Sequence, residues 1–308
     1  MTGESLSSTD TALPEQPMLS IQGLGISFGA HEVLRDINLQ VPRGQTLAII
    51  GESGCGKTVL LKTLIQLITP TTGRVLFDGQ DLSELNLHEL AKQRTRFGFI
   101  FQQAALFDSM TIGQNVAFPL LQHTRLPEAE VQQRVLEQLA DVGLPDSVIN
   151  KKPAELSGGM RKRVGVARAL MLNPELVLYD EPTTGLDPIG TREMKDLIIK
   201  LREQGKTVLM CSHLLADVQD VCDRIAILHQ GDLKEMGRVD SLLTVKDVTQ
   251  VQARGLSAEA EEEIREVISR HGGKLMAMEH PTSTLEELFL RIVRDSEQRP
   301  GRRTVEHE

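Results

Sequence analysis

Tryptophan is absent from this chain of 308 residues, and tyrosine occurs once. Aromatic side chains make up only 3% of it, so platforms for stacking nucleic-acid bases are scarce. A basic excess is missing too. The formal net charge is −9, the opposite of the footprint with which a dedicated nucleic-acid binder attracts phosphate backbones, and no nucleic acid is expected as a partner. Cysteine is sparse. Cys55, Cys211 and Cys222 are odd in number, fit neither a metal site nor a disulfide framework, and point to a reducing compartment. No apolar run approaches the ~20 residues that a bilayer-spanning helix needs. The opening MTGESLSSTDTALPEQP lacks the basic-then-apolar order of a signal peptide and the arginines of a transit peptide. A soluble intracellular protein is expected, and any role at a membrane needs a partner to span it.

What the chain does have is 40% apolar residues, enough for a sizeable core. Residues 1–17 are polar with two prolines and are expected to be disordered. MLSIQGLGISF and EVLRDINLQV alternate apolar and polar residues as antiparallel strands do. TLAII, ELVLYDEP and KTVLMCSH read as buried strands, and TGRVLFDG as a further strand. VLLKTLIQLI is predicted as a helix with Leu60, Leu61, Leu64 and Leu67 on one face. From Asp81 to Leu170 the pattern is mostly helical, broken at IFQQAALFDSMT. TREMKDLIIKLREQG reads as a helix stopped by Gly205, and RIAILHQGDLKEMG as a hairpin turning at Gln230–Asp232. Apolar strands alternating with helices mean a mainly parallel α/β sheet. After Thr244 two helical segments, SAEAEEEIREVISRHG and TLEELFLRIVRD, fall outside that alternation, and 296–308 is a polar tail.

Chemistry concentrates in a few short phrases. GESGCGKT, Gly51–Thr58, fits G-x-x-x-x-G-K-[ST] between a predicted strand and a predicted helix. Gly54 and Gly56 let backbone N–H groups close around phosphates, with Glu52, Ser53 and Cys55 completing the loop. Lys57 reaches the β- and γ-phosphates, and Thr58 offers a hydroxyl to Mg²⁺. Cys55 itself reads as a small residue tolerated in a tight loop, while Cys211 and Cys222 read as core. Asp180 and Glu181 sit at the carboxyl end of a strand, where open α/β sheets bind ligands. Asp180 suits an indirect contact to Mg²⁺, through water or another ligand, and Glu181 suits a general base or a group that polarises the attacking water. The bland alternative is two carboxylates ending a strand in solvent, which the nearby phosphate loop disfavours. His213 ends another strand; a lone histidine is more often structural, but this position points into the same crevice and favours a γ-phosphate contact, while the other seven histidines are assigned to helices, loops or tails. Gln102, after the apolar FIF, can orient water or touch Mg²⁺, or simply end a strand.

LSGGM, residues 156–160, poses a separate question. Ser157 is placed as the N-cap of a helix, and Gly158 and Gly159 strip side chains from its first turn. A bare helix start with free N–H groups and a positive dipole end is a ready anion site. The chain already has one phosphate loop. Either both grip one nucleotide within a chain, or Ser157 faces the nucleotide of a second copy, which gives a head-to-tail dimer with two shared sites.

From about Leu19 to Gly237 the chain resembles the nucleotide-binding subunit of ABC (ATP-binding cassette) transporters, with the diagnostic motifs in order. Gly51–Thr58 is similar to Walker A, Gln102 to the Q-loop, Leu156–Met160 to the ABC signature, Leu176–Glu181 to Walker B, Gly185–Asp187 to the D-loop and His213 to the H-loop. Phe28 stands where the family carries an aromatic ring that stacks on adenine. The resemblance implies an α/β fold, a P-loop NTPase cassette over residues 18–243. It would have a RecA-like core, an antiparallel β subdomain and a helical subdomain at about 90–170, followed by a small extension at 244–295. It implies Mg-ATP hydrolysis, with Glu181, His213 and Gln102 catalytic, Asp187 at the nucleotide, and Thr58, Gln102 and Asp180 at the metal. It also implies that two copies sandwich two ATP molecules, so that Ser157 meets the γ-phosphate held by the other copy.

Met160 departs from the common LSGGQ. LSGGM, FQQAALFDSMTIGQNVAFPL and GLDPI are similar to the Mla and Mkl type, which serves lipid transporters built around MCE domains. That resemblance implies an integral-membrane permease that docks beside Gln102 and Ala104–Phe107, an MCE-domain substrate-binding protein, and a place on the cytoplasmic face of the inner membrane. A cassette for another cargo, such as amino acids, metals or drugs, is a second reading, and a soluble ABC protein acting on DNA or ribosomes a third. Against the third, only 100 residues separate Lys57 from Ser157, too few for the long coiled coil of SMC-like proteins, and the chain has one cassette where ribosomal ABC proteins have two. The 244–295 segment reads equally as an oligomerisation or regulatory appendage and as a piece docked on its own cassette.

Overall fold

The computed structural model describes residues 16–244, 251 and 255–277. The chain divides into two units, one running to Leu242 and the other beginning at Leu243.

The first unit opens with two strands, β1 (Leu19–Phe28) and β2 (His31–Val41), followed by β3 (Thr46–Ile50) and helix α1 (Lys57–Leu64). Strands β4 (Thr72–Phe77) and β5 (Gln80–Asp81) precede α2 (Leu87–Arg94) and β6 (Phe97–Ile100). Three helices come next: α3 (Ile112–His123), α4 (Glu128–Asp141) and α5 (Gly158–Leu170). The remainder is β7 (Leu176–Asp180), α6 (Pro188–Glu203), β8 (Thr207–Ser212), α7 (Leu215–Val221), β9 (Arg224–His229), β10 (Asp232–Arg238) and α8 (Val239–Leu243). In the second unit, α9 (Ala258–Arg270) corresponds to the first helical segment expected after Thr244, with Ser257 as its N-cap. The second expected segment, TLEELFLRIVRD, and residues 1–15 and 296–308 lie outside the described residues.

The strands form two sheets. One is antiparallel, in the order β2-β1-β4-β5; the other runs β10-β9-β3-β8-β7-β6, parallel throughout except for the β9–β10 hairpin. The central strands are apolar on both faces, and their alternation builds two cores. Ala48, Ile50, Val177, Tyr179, Val208 and Met210 face α3–α6, whereas Leu47, Ile49, Leu176, Leu178, Leu209 and Cys211 face the antiparallel sheet. Leu60, Leu61 and Leu64 of α1 belong to the second core, which fixes the start of that helix between the sheets. An ion cluster ties their lower edges. Arg96 Nε donates to Glu175 Oε1 at 2.6 Å, and Arg96 and Arg43 both pair with Asp78.

Four local expectations need correction. Helix α1 ends at Leu64, so Leu67 is half-exposed rather than on the apolar face. Gln66 takes the left-handed conformation (φ 56°), with bonds from Leu67 N to Lys62 O and from Gln66 N to Thr63 O, both 2.9 Å. That is a Schellman ending, reached without the glycine that would have signalled it. Helix α6 begins three residues before Thr191, with Asp187 as N-cap and Pro188 as its first residue, where a missing N–H costs nothing. FGFI is a full edge strand, β6, within the stretch read as helical. Two histidines assigned to helices, loops or tails are in strands: His31 opens β2 and His229 closes β9.

Candidate active site

β3 delivers the chain to Gly51 at the carboxyl edge of the parallel sheet. A side chain at Gly51 would run into the carbonyl of Leu228 on the neighbouring β9. Gly56 caps α1 at φ 105°, a conformation that disfavours other residues. Among the described residues, the N–H groups of Gly54, Gly56, Lys57 and Thr58 are bonded to no carbonyl. Those four donors, converging at a helix start, form a cradle suited to phosphate oxygens.

Lys57 is 6% exposed and folds back on this loop. Its Nζ donates to Gly51 O (2.8 Å) and Glu52 O (3.0 Å) and pairs with Glu181 Oε1 at 3.4 Å. All three N–H donors are engaged, so an incoming phosphate must compete with Glu181 for the ammonium.

Asp180, the last residue of β7, accepts from Thr58 Oγ1 at 3.0 Å on both carboxylate oxygens. It is 4% exposed and forms no ion pair among the described residues. Burial pushes its carboxyl up from the ordinary range, against the pull of the Thr58 hydroxyl. A buried carboxylate short of a counter-charge beside a hydroxyl is a donor set that suits Mg²⁺.

Glu181 follows in the left-handed region, φ 51°, with its N–H bonded to Cys211 O at 3.0 Å. A non-glycine residue held there is strained, and such strain is stored where the surroundings over-determine it. Here Glu181 Oε2 meets His213 Nδ1 at 2.7 Å and accepts from Thr184 Oγ1 at 3.2 Å. With Glu181 ionised, the short contact requires a proton on His213 Nδ1. The structure thus joins Glu181 and His213 directly, where the sequence offered them only as neighbours in a crevice. Gln102 lies two residues past β6, whose last residue, Ile100, pairs with Tyr179 next to Asp180. Its side chain is exposed. Phe28, at the end of β1, is 52% exposed.

Ser157 is the N-cap expected of it: its Oγ accepts from Met160 N at 3.2 Å. Ser157 and Gly158 are exposed, and a Cβ added at Gly158 would meet, beyond its own helix backbone, only Arg161 Nη2 at 4.0 Å. No hydrogen bond or ion pair among the described residues joins Ser157–Gly159 to Gly51–Thr58. Asp187 is exposed, and its carboxylate is spent locally on capping α6, accepting from Gly190 N at 2.6 Å. Cys55 is half-buried, whereas Cys211 and Cys222 are buried core residues.

Sequence reasoning missed three side chains that shape this site. Arg168 donates to the carbonyls of Ala104 and Ala105, each at 2.7 Å, and so holds two left-handed residues just past Gln102. Asn115, fully buried, brackets Phe107 through its N–H and its carbonyl. Lys162, 9% exposed, donates into the turn after β7. Asn115 had a signal: it is a polar residue among the apolar positions Ile112, Val116 and Leu120 of one helix face.

Known proteins resemble this chain. A family profile described as "ABC transporter" matches residues 34–184. The probable ribonucleotide transport ATP-binding protein mkl of Mycobacterium leprae is 41% identical over 236 residues, 76% of this chain and 68% of that protein. The intermembrane phospholipid transport system ATP-binding protein MlaF of Haemophilus influenzae is 39% identical over 238 residues, 77% of this chain and 90% of that one. The methionine import ATP-binding protein MetN of Symbiobacterium thermophilum is 43% identical over 231 residues, 73% and 69% of the two chains. Among solved structures, a dimeric ATP-binding cassette in a post-hydrolysis state with ADP and Pi aligns with a TM-score of 0.67 at 33% identity. The alignment covers 72% of this chain and 99% of that one. The phosphate cradle, the carboxylates beside it and these relatives agree, and the chain belongs to the ABC transporter family as an ATP-binding, ATP-hydrolysing subunit.

Proposed function

We propose that two copies of this chain hydrolyse ATP at two shared sites and so energise the movement of phospholipid or other hydrophobic compounds across a bacterial envelope. The observation that carries the shared site is the helix start at Ser157–Gly159, exposed at Ser157 and Gly158 and unconnected to the chain's own phosphate loop. In this reading, the free N–H groups of Gly54, Gly56, Lys57 and Thr58 and the Lys57 ammonium bind the β- and γ-phosphates, and Phe28 stacks on the adenine. Ser157–Gly159 of the second copy close on the γ-phosphate, with Asp187 at the same junction. Thr58, Asp180 and Gln102 hold Mg²⁺, which when bound offsets charge on the phosphate oxygens. Phosphate draws Lys57 away from Glu181. The freed carboxylate then takes the proton of the attacking water, while His213, protonated on Nδ1, keeps Glu181 aimed and presents its other ring nitrogen to the site.

The cargo is argued from the relatives and the signature. The likeness to MlaF runs over 90% of that protein, and LSGGM, FQQAALFDSMTIGQNVAFPL and GLDPI together resemble the Mla and Mkl type. No helix among the described residues is long and apolar enough to cross a membrane. In this reading the chain acts from the cytoplasmic face of the inner membrane through a permease, docked on the segment from Gln102 to Phe107, with an MCE-domain protein carrying the cargo. Phe107 is 41% exposed there and offers that permease an apolar ring. A second reading, a cassette for amino acids, is favoured by the MetN relative, whose identity is as high.

Affinity purification of the tagged chain from its native membranes decides between them. Recovery of a multi-spanning permease with an MCE protein is expected, together with disturbed envelope lipid distribution in the deletion strain. Recovery of a permease without any MCE protein would remove the lipid claim and leave the ATPase claim intact.

A further inference from the structure

Lys162 has no part in the chemistry described above, yet it is buried at 9% exposure on a helix whose next turn is Val164, Val166 and Ala167. Burying an ammonium is unfavourable unless it is fully hydrogen-bonded. Its partners here are three backbone carbonyls of one short turn: Glu181 O at 3.3 Å, Pro182 O at 3.1 Å and Thr184 O at 2.6 Å. Those are the three donors that Lys has.

The turn needs such a partner. Glu181 is held at φ 51°, and three carbonyls converge on one point, an arrangement whose dipoles repel one another without a cation between them. Thr183 Oγ1 is buried with no partner, and Leu186 N bonds back to Thr183 O at 3.1 Å. The direction of the Glu181 side chain depends on this backbone, because at negative φ its Cβ would leave His213 and Thr184.

We infer that Lys162 is a positioning residue for hydrolysis: its ammonium holds the turn 181–184 so that Glu181 is aimed, and it ties that turn to the helix that Ser157 begins. Lys162 stands five residues along α5 from Ser157, roughly 7.5 Å of helix rise. A phosphate seated on Ser157 therefore sits on the same rigid piece that sets Glu181 in the same chain. The inference rests on the assignment of Glu181 as the base in the preceding reading.

The test compares Lys162→Met, which keeps length but loses charge and donors, with Lys162→Gln, which supplies two donors without charge. ATPase kinetics, ATP affinity of the isolated subunit and melting temperature are measured for each. The expected result for Lys162→Met is a kcat lower by at least about tenfold with KM and ATP affinity unchanged, and for Lys162→Gln a kcat between that and the parent. An unchanged kcat in Lys162→Met, or a parallel loss of kcat and affinity in both variants, overturns the inference. Should Lys162→Met fail to fold, Lys162→Gln decides: lowered kcat at unchanged KM supports it, and parental kcat or raised KM sinks it. Glu181→Gln is assayed alongside. If that variant turns over normally, the Glu181 assignment fails on its own; if it is inactive while Lys162→Met is fully active, only the inference about Lys162 falls.

Discussion

Glu181→Gln isolates the base from everything around it. The amide has the shape of the carboxylate, so its oxygen still accepts from His213 Nδ1 (2.7 Å) and Thr184 Oγ1 (3.2 Å). Two things are lost, the ability to take a proton from water and the charge 3.4 Å from Lys57 Nζ. A positioned base contributes about 10²–10⁴ in rate, which at about 1.36 kcal/mol per tenfold is about 3–5 kcal/mol of barrier. The effect on stability is smaller. Removing one partner of a buried ion pair costs about 3–5 kcal/mol when the other charge is left alone. Lys57 is not left alone, since Gly51 O and Glu52 O stay at 2.8 and 3.0 Å, so about 1–2 kcal/mol is expected. In a unit of this size that lowers the melting temperature by about 2–8 °C. Phosphate release by the purified variant should fall at least about a hundredfold. ATP binding should be retained or tightened, because phosphate no longer competes with Glu181 for Lys57, and an ATP-bound dimer should accumulate. Turnover within a few-fold of the parent, in a protein that binds ATP, would refute the assignment of the base.

Asp180→Asn should trade activity for stability. The folded-state pKa of Asp180 is raised above its unfolded value of 3.8, so between the two the folded state binds the extra proton and stability falls as pH rises. At neutral pH that cost is present. The nucleotide-free Asn variant should then melt higher than the parent, with an advantage that shrinks on acidification and is gone near pH 3.8, while Mg²⁺-dependent hydrolysis is lost. A lower melting temperature at pH 7 would show that the carboxylate is not under strain. Gly56→Ala places a Cβ 2.7 Å from Leu34 Cδ2 at φ 105°, and a loss of at least about 2 kcal/mol is expected, with weakened ATP binding. Gly29→Ala is its control: φ is 61°, the space around it is open, and about 1 kcal/mol should be lost with ATP affinity intact. Equal loss of ATP affinity in the two variants would contradict the role given to Gly56.

The residues of the phosphate loop and the carboxylates after β7 were legible because residue type and spacing fix their chemistry. Glycines followed by Lys57 and Thr58 serve few purposes other than phosphate, and a Pro after Asp180 and Glu181 marks the end of a strand. The cap at Ser157 was legible for the same local reason. What stayed hidden depends on contacts distant in sequence. Arg161, Lys162 and Arg163 read alike in RKR, and only packing against the turn after β7 buries Lys162 while its neighbours stay part-buried. Arg168 likewise reads as a basic last turn of α5 until the fold brings Ala104 and Ala105 beneath it. The 2.7 Å contact between His213 and Glu181 joins two parallel strands, and no spacing along the chain encodes it. The end of α1 was misjudged because Gln66 adopts a conformation normally left to glycine.

The claim that each ATP is held by two copies is tested most directly by mixing two inactive variants. Ser157→Arg spoils the helix start and leaves Gly51–Thr58 intact; Lys57→Ala does the reverse. Each alone should bind or fail to bind ATP as its own phosphate loop dictates, and neither should hydrolyse it. In an equimolar mixture about half the dimers are mixed, and each of those holds one intact shared site out of two, so about a quarter of the parental activity should return. Ser157→Arg subunits that have lost ATP binding as monomers, or a mixture as inactive as its components while mixed dimers form, would contradict the shared site.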